Sequence, residues 1–483
     1  MSLVRKAGVS IWRLVAVVVL LLAVAYVAAS PSDGGSGGPV SLTTPLSLSR
    51  TTATPGDTVS ASVTYQNTGG TAVTVNAIAI RAKNPSGEQR DFSPTLGPTT
   101  VQPGASVSLT ASRTFLAVSR PGDWTVYASV QDSAGVWHDE PAITLTLNRF
   151  AFEPVTYAGS DYVDPRRPSL PRPCDSHYTF LTVSCYAGVT GPRLQQDIDY
   201  MAANRLGRFH RLWVSLDQLF SCFDPVTGYC GYDATALANV KDALHKFANA
   251  GMQVAIVVFA QGNSNPFRYE ALDGNHPTMR ANYLRALRDF LVRIGSDPVA
   301  VKAVAVLDLM NEIYFQSERA LEAKVTINGT VCDQSCLDNN VIRPWLVDMY
   351  NTALDAAPGF LYTASDTGRL LRGQSTWIPY YPVDIYDVHV YDLAPWNNAS
   401  TYARGSTLPK PWFAGEAGCN PGNVACTYDG NNPTTVQVDG WWLDNLRNYG
   451  AKAVLIEGKV TLFTENDTPS LTQVGRLVQA KNP

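Results

Sequence analysis

The chain has 483 residues, 45% hydrophobic and 16% charged, a globular composition too long for one ordinary core, so two or three domains are expected. Its formal net charge is −4 and it carries no Lys/Arg run, which argues against nucleic acid or an anionic membrane surface as partner. Residues 1–30 read as a targeting segment. Arg5, Lys6 and Arg13 precede the apolar run Leu14–Ala29, and Ala28-Ala29-Ser30 offers a cleavage site. That run is short of the roughly twenty residues of a spanning helix, so a cleaved signal peptide is favoured over a retained anchor. Either way the rest of the chain is expected to be secreted or extracytoplasmic, touching a membrane only through an uncleaved N-terminal segment.

Residues 31–40, PSDGGSGGPV, form a flexible Gly/Ser linker. Over 41–149, stretches such as TVSASVTYQN, SVSLTASRTF and DWTVYASVQD alternate apolar and polar residues between Pro-Gly or Asn-Thr-Gly-Gly turns. About seven strands in roughly 110 residues predict an all-β, immunoglobulin-like sandwich. Trp124 and Trp137 either form a sugar-binding face or pack within the sandwich, and packing is the favoured assignment. Residues 150–173 read as a Pro-rich connector.

From 174 to 483 strands alternate with helices, and eight strand–helix repeats predict a (β/α)8 TIM barrel. The first strand is expected within YTFLTVSCY, the second in FHRLWVSL, the fourth in VKAVAVLDLM, the sixth in DIYDVHVY, the seventh in WFAGEA and the eighth in AKAVLIEG. An open doubly wound sheet is the alternative, but no G-x-G-x-x-G follows any strand. The eight cysteines fall as sequence neighbours, Cys174 and Cys185, Cys222 and Cys230, Cys332 and Cys336, Cys419 and Cys426. C-x-x-C pairs and clustered histidines are absent, so four loop disulfides are expected rather than a zinc site.

Active sites of such barrels lie at the C-terminal strand ends. There the sequence places Arg211 and Trp213 on strand two and Asn311-Glu312 after strand four. It also places His389 and Tyr391 on strand six, Glu416 on strand seven and Glu457 on strand eight. Glu312 and Glu416 would face each other across the mouth, as glycoside hydrolysis requires of its two carboxyl groups. Arg211 and Tyr391 are expected to support the strand-seven carboxylate, and Asn311 to bind the sugar hydroxyl beside the reacting carbon. Trp213 and Trp396, with other aromatics near the strand ends, are candidate sugar platforms, although each is individually more often packing.

The motifs LDLMNE, DVHVYD and WFAGEAG, in this order, resemble the clan A retaining β-glycosidases, including cellulase- and mannanase-like family 5 enzymes. The resemblance covers the barrel and implies that Glu312 is the acid/base, Glu416 the nucleophile, and that no metal or organic cofactor is needed. The chain departs from the clan at strand eight, where VLIEGKVTLF carries Glu457 and Lys459 in place of a Trp. It departs again at strand three, which ends in Gln261 and Asn263 instead of a His. The implied function is a monomeric enzyme cleaving β-linked oligo- or polysaccharide with retention, its carboxyl groups about 5–5.5 Å apart. Two alternatives stand beside it, a carbohydrate-binding or adhesion protein with an inactive barrel and a transglycosylase using the same glutamates. N-x-S/T acceptors occur at Asn328, Asn398 and Asn466.

Overall fold

The computed structural model describes residues 40–162, 181–224, 228–259, 277–312, 324, 326–327, 329–372, 382–391, 403–419, 426–427, 429–457, 461–464 and 469–482. The N-terminal targeting segment, Cys174, Gln261, Asn263, Trp396, Lys459 and the three glycosylation acceptors lie outside them.

Residues 41–147 fold as two β-sheets over one core. Strands Ser41–Leu48, Thr58–Gln66 and Ser106–Thr114 form one antiparallel sheet. Thr52–Ala53, Ile143–Leu147, Gly122–Gln131 and Ala77–Lys83 form the other, with Trp137–Asp139 added along Gly122–Gln131. The period-two pattern sets which face is buried: in Thr58–Gln66, Val59, Ala61, Val63 and Tyr65 point inward while Thr58 and Ser60 are exposed. They meet Ile78, Ile80, Trp124, Val126 and Leu145 of the opposite sheet. The described residues hold ten strands here rather than about seven. The stretch VTVNAIAIRAKN breaks at Asn76, and short pairs such as Val73–Val75 with Thr99–Val101 are added. Trp124 is core, edge-on to Phe115 at 5.1 Å, and Trp137 lies beneath the Arg81 guanidinium at 4.0 Å.

Parallel strands alternate with helices through the rest of the chain. The barrel strands are Ala158–Tyr162, Phe209–Trp213, Gln253–Val257 and Val304–Asp308, then the short pieces Tyr362–Thr363 and Ser365–Asp366. Tyr386–Tyr391, Trp412–Gly418 and Ala451–Glu457 complete the set. Each pairs in parallel with its neighbour, and the first pairs with the last. Tyr362–Thr363 pairs with strand four and Ser365–Asp366 with strand six. Only Ala364 separates these pieces, so the sheet is a nearly closed barrel with strand five split in two. Helix Ala234–Asn249 shows how the outer layer is specified. Asp233 caps it by accepting from the Thr235 and Ala236 N–H groups, and Leu237, Val240, Leu244 and Phe247 form its buried stripe.

The first strand lies elsewhere than the sequence pattern suggests. It is Ala158–Tyr162, inside the segment assigned as connector, whereas Val183–Cys185 of YTFLTVSCY is helical. The strand is hidden by its small residues, Ala158-Gly159-Ser160, which close approach of strand two demands. A Cβ on Gly159 would lie 1.9 Å from the Phe209 carbonyl oxygen. Strand four also begins later than expected, at Val304, because Ala300–Ala303 is helical.

The two-sheet unit meets the barrel at the N-terminal ends of the barrel strands. Ala117 donates its N–H to the Gly295 carbonyl at 3.1 Å and accepts from Gly359 N–H at 2.8 Å. Gly359 is glycine because a Cβ would approach Pro55 to 2.7 Å and Ala117 to 2.9 Å. Arg149 grips both oxygens of Asp384 at 2.9 and 2.7 Å and the Phe360 carbonyl at 2.6 Å.

Three of the expected cysteine pairs are present, Cys222–Cys230, Cys332–Cys336 and Cys419–Cys426, with Cα separations of 5.8, 5.2 and 5.5 Å. They follow strands two, four and seven, and among the described residues no cysteine is free.

Candidate active site

Arg211 is the centre of the mouth. Strand two carries it inward, fully buried, and its fork reaches strands four and seven. Nη1 binds Glu416 Oε1, while Nη2 donates to Asp308 Oδ2 at 2.7 Å and Asn311 Oδ1 at 2.6 Å. The Trp213 ring packs 4.9 Å from the guanidinium. Trp213 is buried and donates Nε1–H to Asp161 Oδ1 at 3.3 Å, so it supports the arginine rather than forming an open sugar platform.

Strand seven delivers Glu416, beside His389 in register on strand six. Tyr391 donates its hydroxyl to Glu416 Oε2 at 2.5 Å. Burial, and then the Glu416 charge, push the tyrosine well above its ordinary range, so it remains a donor. Arg211 on one oxygen and Tyr391 on the other surround Glu416 with donors, the setting of an attacking carboxylate. Gly415 beside it has no alternative, because a Cβ there would lie 2.1 Å from Asp387 Oδ1.

Glu312 is held differently. The chain leaves strand four after Asp308 and turns so that Glu312 has φ +47°, a left-handed conformation costly for a residue with a Cβ. Two hydrogen bonds fix that turn: Asn311 N–H to the Phe259 carbonyl at 3.1 Å, and Glu312 N–H to Ser365 Oγ at 2.8 Å. Ser365 also donates to Asn311 Oδ1 at 3.3 Å. With Arg211 on the same oxygen, the Asn311 amide is fixed with its NH2 group turned away from the guanidinium. The Glu312 side chain is partly exposed, 17% against 9% for Glu416.

His389 bridges the two glutamates. Its Nδ1 is 3.1 Å from Glu312 Oε1 and 3.2 Å from Glu416 Oε2, and Nε2 is 3.8 Å from Asp387 Oδ1. Burial lowers the ring to about 4, so it is neutral at pH 7 with a single N–H. Two carboxyl oxygens facing Nδ1 place that proton on Nδ1. One atom each from Glu312, His389 and Glu416 lies within 4.8 Å of the others. A cation would fit that spacing, and the same three groups are also close enough to pass protons among themselves.

Arg211, Asn311, Glu312, His389, Tyr391 and Glu416 thus converge, and Trp213 lies behind them. Glu457 ends strand eight, in register with Asp161 and half-buried at the rim. Three further residues, not singled out from the sequence, are buried around Arg211: Asp161, Asp308 and Asp387. Asp308 and Asp387 sit within the motifs LDLMNE and DVHVYD, and a charge in the middle of an apolar strand was the available signal. Asp161 gave none, because its strand is not recognisable from its residues.

No family model matches the chain, and no curated protein matches it. Among solved structures it is similar to the endo-1,4-β-mannanase of Eisenia fetida, with TM-score 0.47 and 18% identity over 69% of this chain and 93% of that one. It is similar to the β-mannanase of the blue mussel Mytilus edulis, with TM-score 0.45 and 13% identity over 68% and 92%. It is also similar to a Bacteroides uniformis β-glucuronidase, with TM-score 0.40 and 11% identity over 85% of this chain, which spans 45% of that protein.

Proposed function

We propose that this chain is an exported glycoside hydrolase that cleaves β-glycosidic bonds of an oligo- or polysaccharide with retention of configuration. The observation that carries it is the unequal treatment of two facing glutamates. Glu416 is charge-paired with Arg211 and hydrogen-bonded by Tyr391, while the Glu312 carboxyl is partly exposed and lies against the neutral His389 ring. One carboxyl suited to attack and one suited to carry a proton are what double displacement needs. Their closest oxygens lie within 4.8 Å, which favours retention, since inverting pairs stand about 6.5–9.5 Å apart to admit a water.

In the first step Glu416 bonds to the anomeric carbon as the glycosidic C–O bond breaks, and the Glu312 proton passes to the leaving oxygen. In the second, Glu312 takes a proton from water as the water oxygen attacks that carbon, and Glu416 departs as carboxylate. Negative charge therefore moves from Glu416 to Glu312 and back, and the His389 N–H lies within reach of both. The Asn311 amide is assigned to the hydroxyl next to the reacting carbon. The two-sheet domain is assigned as immunoglobulin-like, and the loop cysteine pairs support an oxidising, extracytoplasmic location.

The test is turnover of aryl β-glycosides and of β-glucan and β-mannan, followed by NMR of the first-formed anomer. Retention is expected, with Glu416→Ala down on the order of 10⁴–10⁶-fold. Azide should rescue Glu312→Ala with formation of a β-glycosyl azide. An inverted product, or inactivity of wild type on the whole panel, would sink the assignment.

A further inference from the structure

Four carboxylates ring one guanidinium. Asp161, Asp308, Asp387, Glu416 and Arg211 are all buried. One positive charge cannot offset four buried negative ones, and an ionised carboxylate left unpaired in such a place is among the costliest groups a fold can hold. Geometry sorts the four. Glu416 has Arg211 Nη1 and the Tyr391 hydroxyl. Asp308 has Nη2 and the N–H groups of Met310 at 3.2 Å and Ser365 at 3.1 Å. Asp161 and Asp387 stand back from the guanidinium at 3.7 and 3.8 Å, beyond hydrogen-bond reach.

Asp161 is the telling member. Its register places it between Arg211 on strand two and Glu457 on strand eight. Oδ1 accepts from Trp213, while Oδ2 is buried without a hydrogen-bond partner among the described residues. That oxygen faces Nη1, the nitrogen that holds Glu416. An ionised Asp161 would attract the second N–H group of that nitrogen and draw Nη1 away from Glu416.

We propose that Asp161 is a positioning residue which the folded protein holds as the neutral carboxylic acid, leaving Arg211 Nη1 committed to Glu416. The surroundings agree. Burial pushes its carboxyl well above the usual carboxylate range, Arg211 opposes this, and the facing charges of Glu416 on strand seven and Glu457 on strand eight add to it. Given Glu416 as the nucleophile of the function proposed above, this makes activity depend on a proton carried by neither catalytic glutamate. As pH rises and Asp161 ionises, Nη1 is drawn from Glu416 and the attacking oxygen loses its alignment.

The experiment combines rate and spectrum. With a dinitrophenyl β-glycoside, whose leaving group departs without a proton, the alkaline limb due to Glu312 drops out of the first step. The wild-type pre-steady-state burst rate is expected to fall at alkaline pH. In Asp161→Asn, which cannot ionise, that limb should disappear or move up by at least about one pH unit. Asp161→Ala should lower kcat on the order of 10-fold with little change in KM, and Asn should recover part of that loss. Infrared difference spectra at pH 7 should show a protonated-carboxyl C=O band in wild type that Asp161→Asn lacks. Identical alkaline limbs in wild type and Asn variant, or absence of that band, would overturn the proposal. If wild type turns over no glycoside, the enzymatic assignment fails, but the band still decides whether Asp161 carries its proton.

Discussion

Each end of the barrel sets an arginine against aspartate, Arg149 partly exposed and Arg211 fully buried, and the two clusters are built on opposite principles. At the N-terminal end Arg149 meets Asp384 in a two-pronged pair, the Phe360 carbonyl takes another N–H, and Tyr350 and the Tyr362 N–H complete the aspartate at 2.9 Å each. One charge answers one charge, and the product is a joint between domains. At the C-terminal end Arg211 faces four carboxylates and cannot satisfy them all. Matched charges favour stability, whereas excess buried acid sets protonation states and so makes chemistry possible.

Exchanging the arginines tests that contrast most strongly. Arg211→Lys keeps the charge but loses the fork that holds Glu416, Asp308 and Asn311 together. A loss in kcat on the order of 10²–10³-fold is expected. Arg149→Ala should leave kcat per folded molecule within about 2-fold of wild type while lowering unfolding free energy by about 2 kcal/mol. Denaturant titration beside a steady-state assay separates the two. If Arg149→Ala proved the more damaging to kcat, the division between the ends would be wrong.

A second test uses another acid at the mouth end. Asp439, on helix Pro433–Asn445, is buried and accepts the Cys419 N–H at 3.0 Å. It lines a small cavity of about 10 Å³ together with Glu457, an acid rather than a countercharge. Burial raises Asp439 from 3.8 to about 7. Because the folded value is the higher, the folded protein binds the extra proton. The stability this group contributes is present below about pH 4 and lost as pH rises to about 7. Asp439→Asn keeps the acceptor and removes the titration. Its melting temperature should match wild type near pH 4 and exceed it near pH 8. The gap corresponds to a few kcal/mol, since each tenfold change in proton affinity is worth about 1.4 kcal/mol. Parallel melting curves across that range would refute the buried-acid assignment.

Legibility of the molecule followed the strength of local signal. Strands two, three, four, six, seven and eight announced themselves as runs of branched and aromatic residues, and Glu312 and Glu416 stand where two of those runs end. Strand one did not, because Gly159 and Gly207 let two backbones approach so closely that its sequence is small and featureless: a Cβ on Gly207 would lie 2.1 Å from the Ala158 oxygen. Losing that strand meant losing Asp161. Asp308 and Asp387 were visible as residues but not as partners, since only the closing of the sheet brings strands two, four, six and seven around one guanidinium. Trp213 was legible as a mouth aromatic, yet its hydrogen bond to Asp161 depends on the unrecognised strand.

The smallest effect concerns whether the sandwich end holds a ligand of its own. Trp137 is one of two tryptophans that the sequence offers for a sugar-binding face, and burial withdraws Trp124 from that role. The Trp137 ring is covered by Arg81, 4.0 Å from its centroid, so a sugar would have to displace a guanidinium from an aromatic face. Trp137→Ala should therefore cost about 0.5–1 kcal/mol of stability through the lost cation–π contact. It should leave retention on insoluble β-glucan and β-mannan unchanged. A pull-down against both polymers, using the Glu416→Ala background to prevent hydrolysis, reads this directly. Loss of polymer retention in Trp137→Ala would make the sandwich a second binding surface, and the N-terminal end would no longer be purely structural.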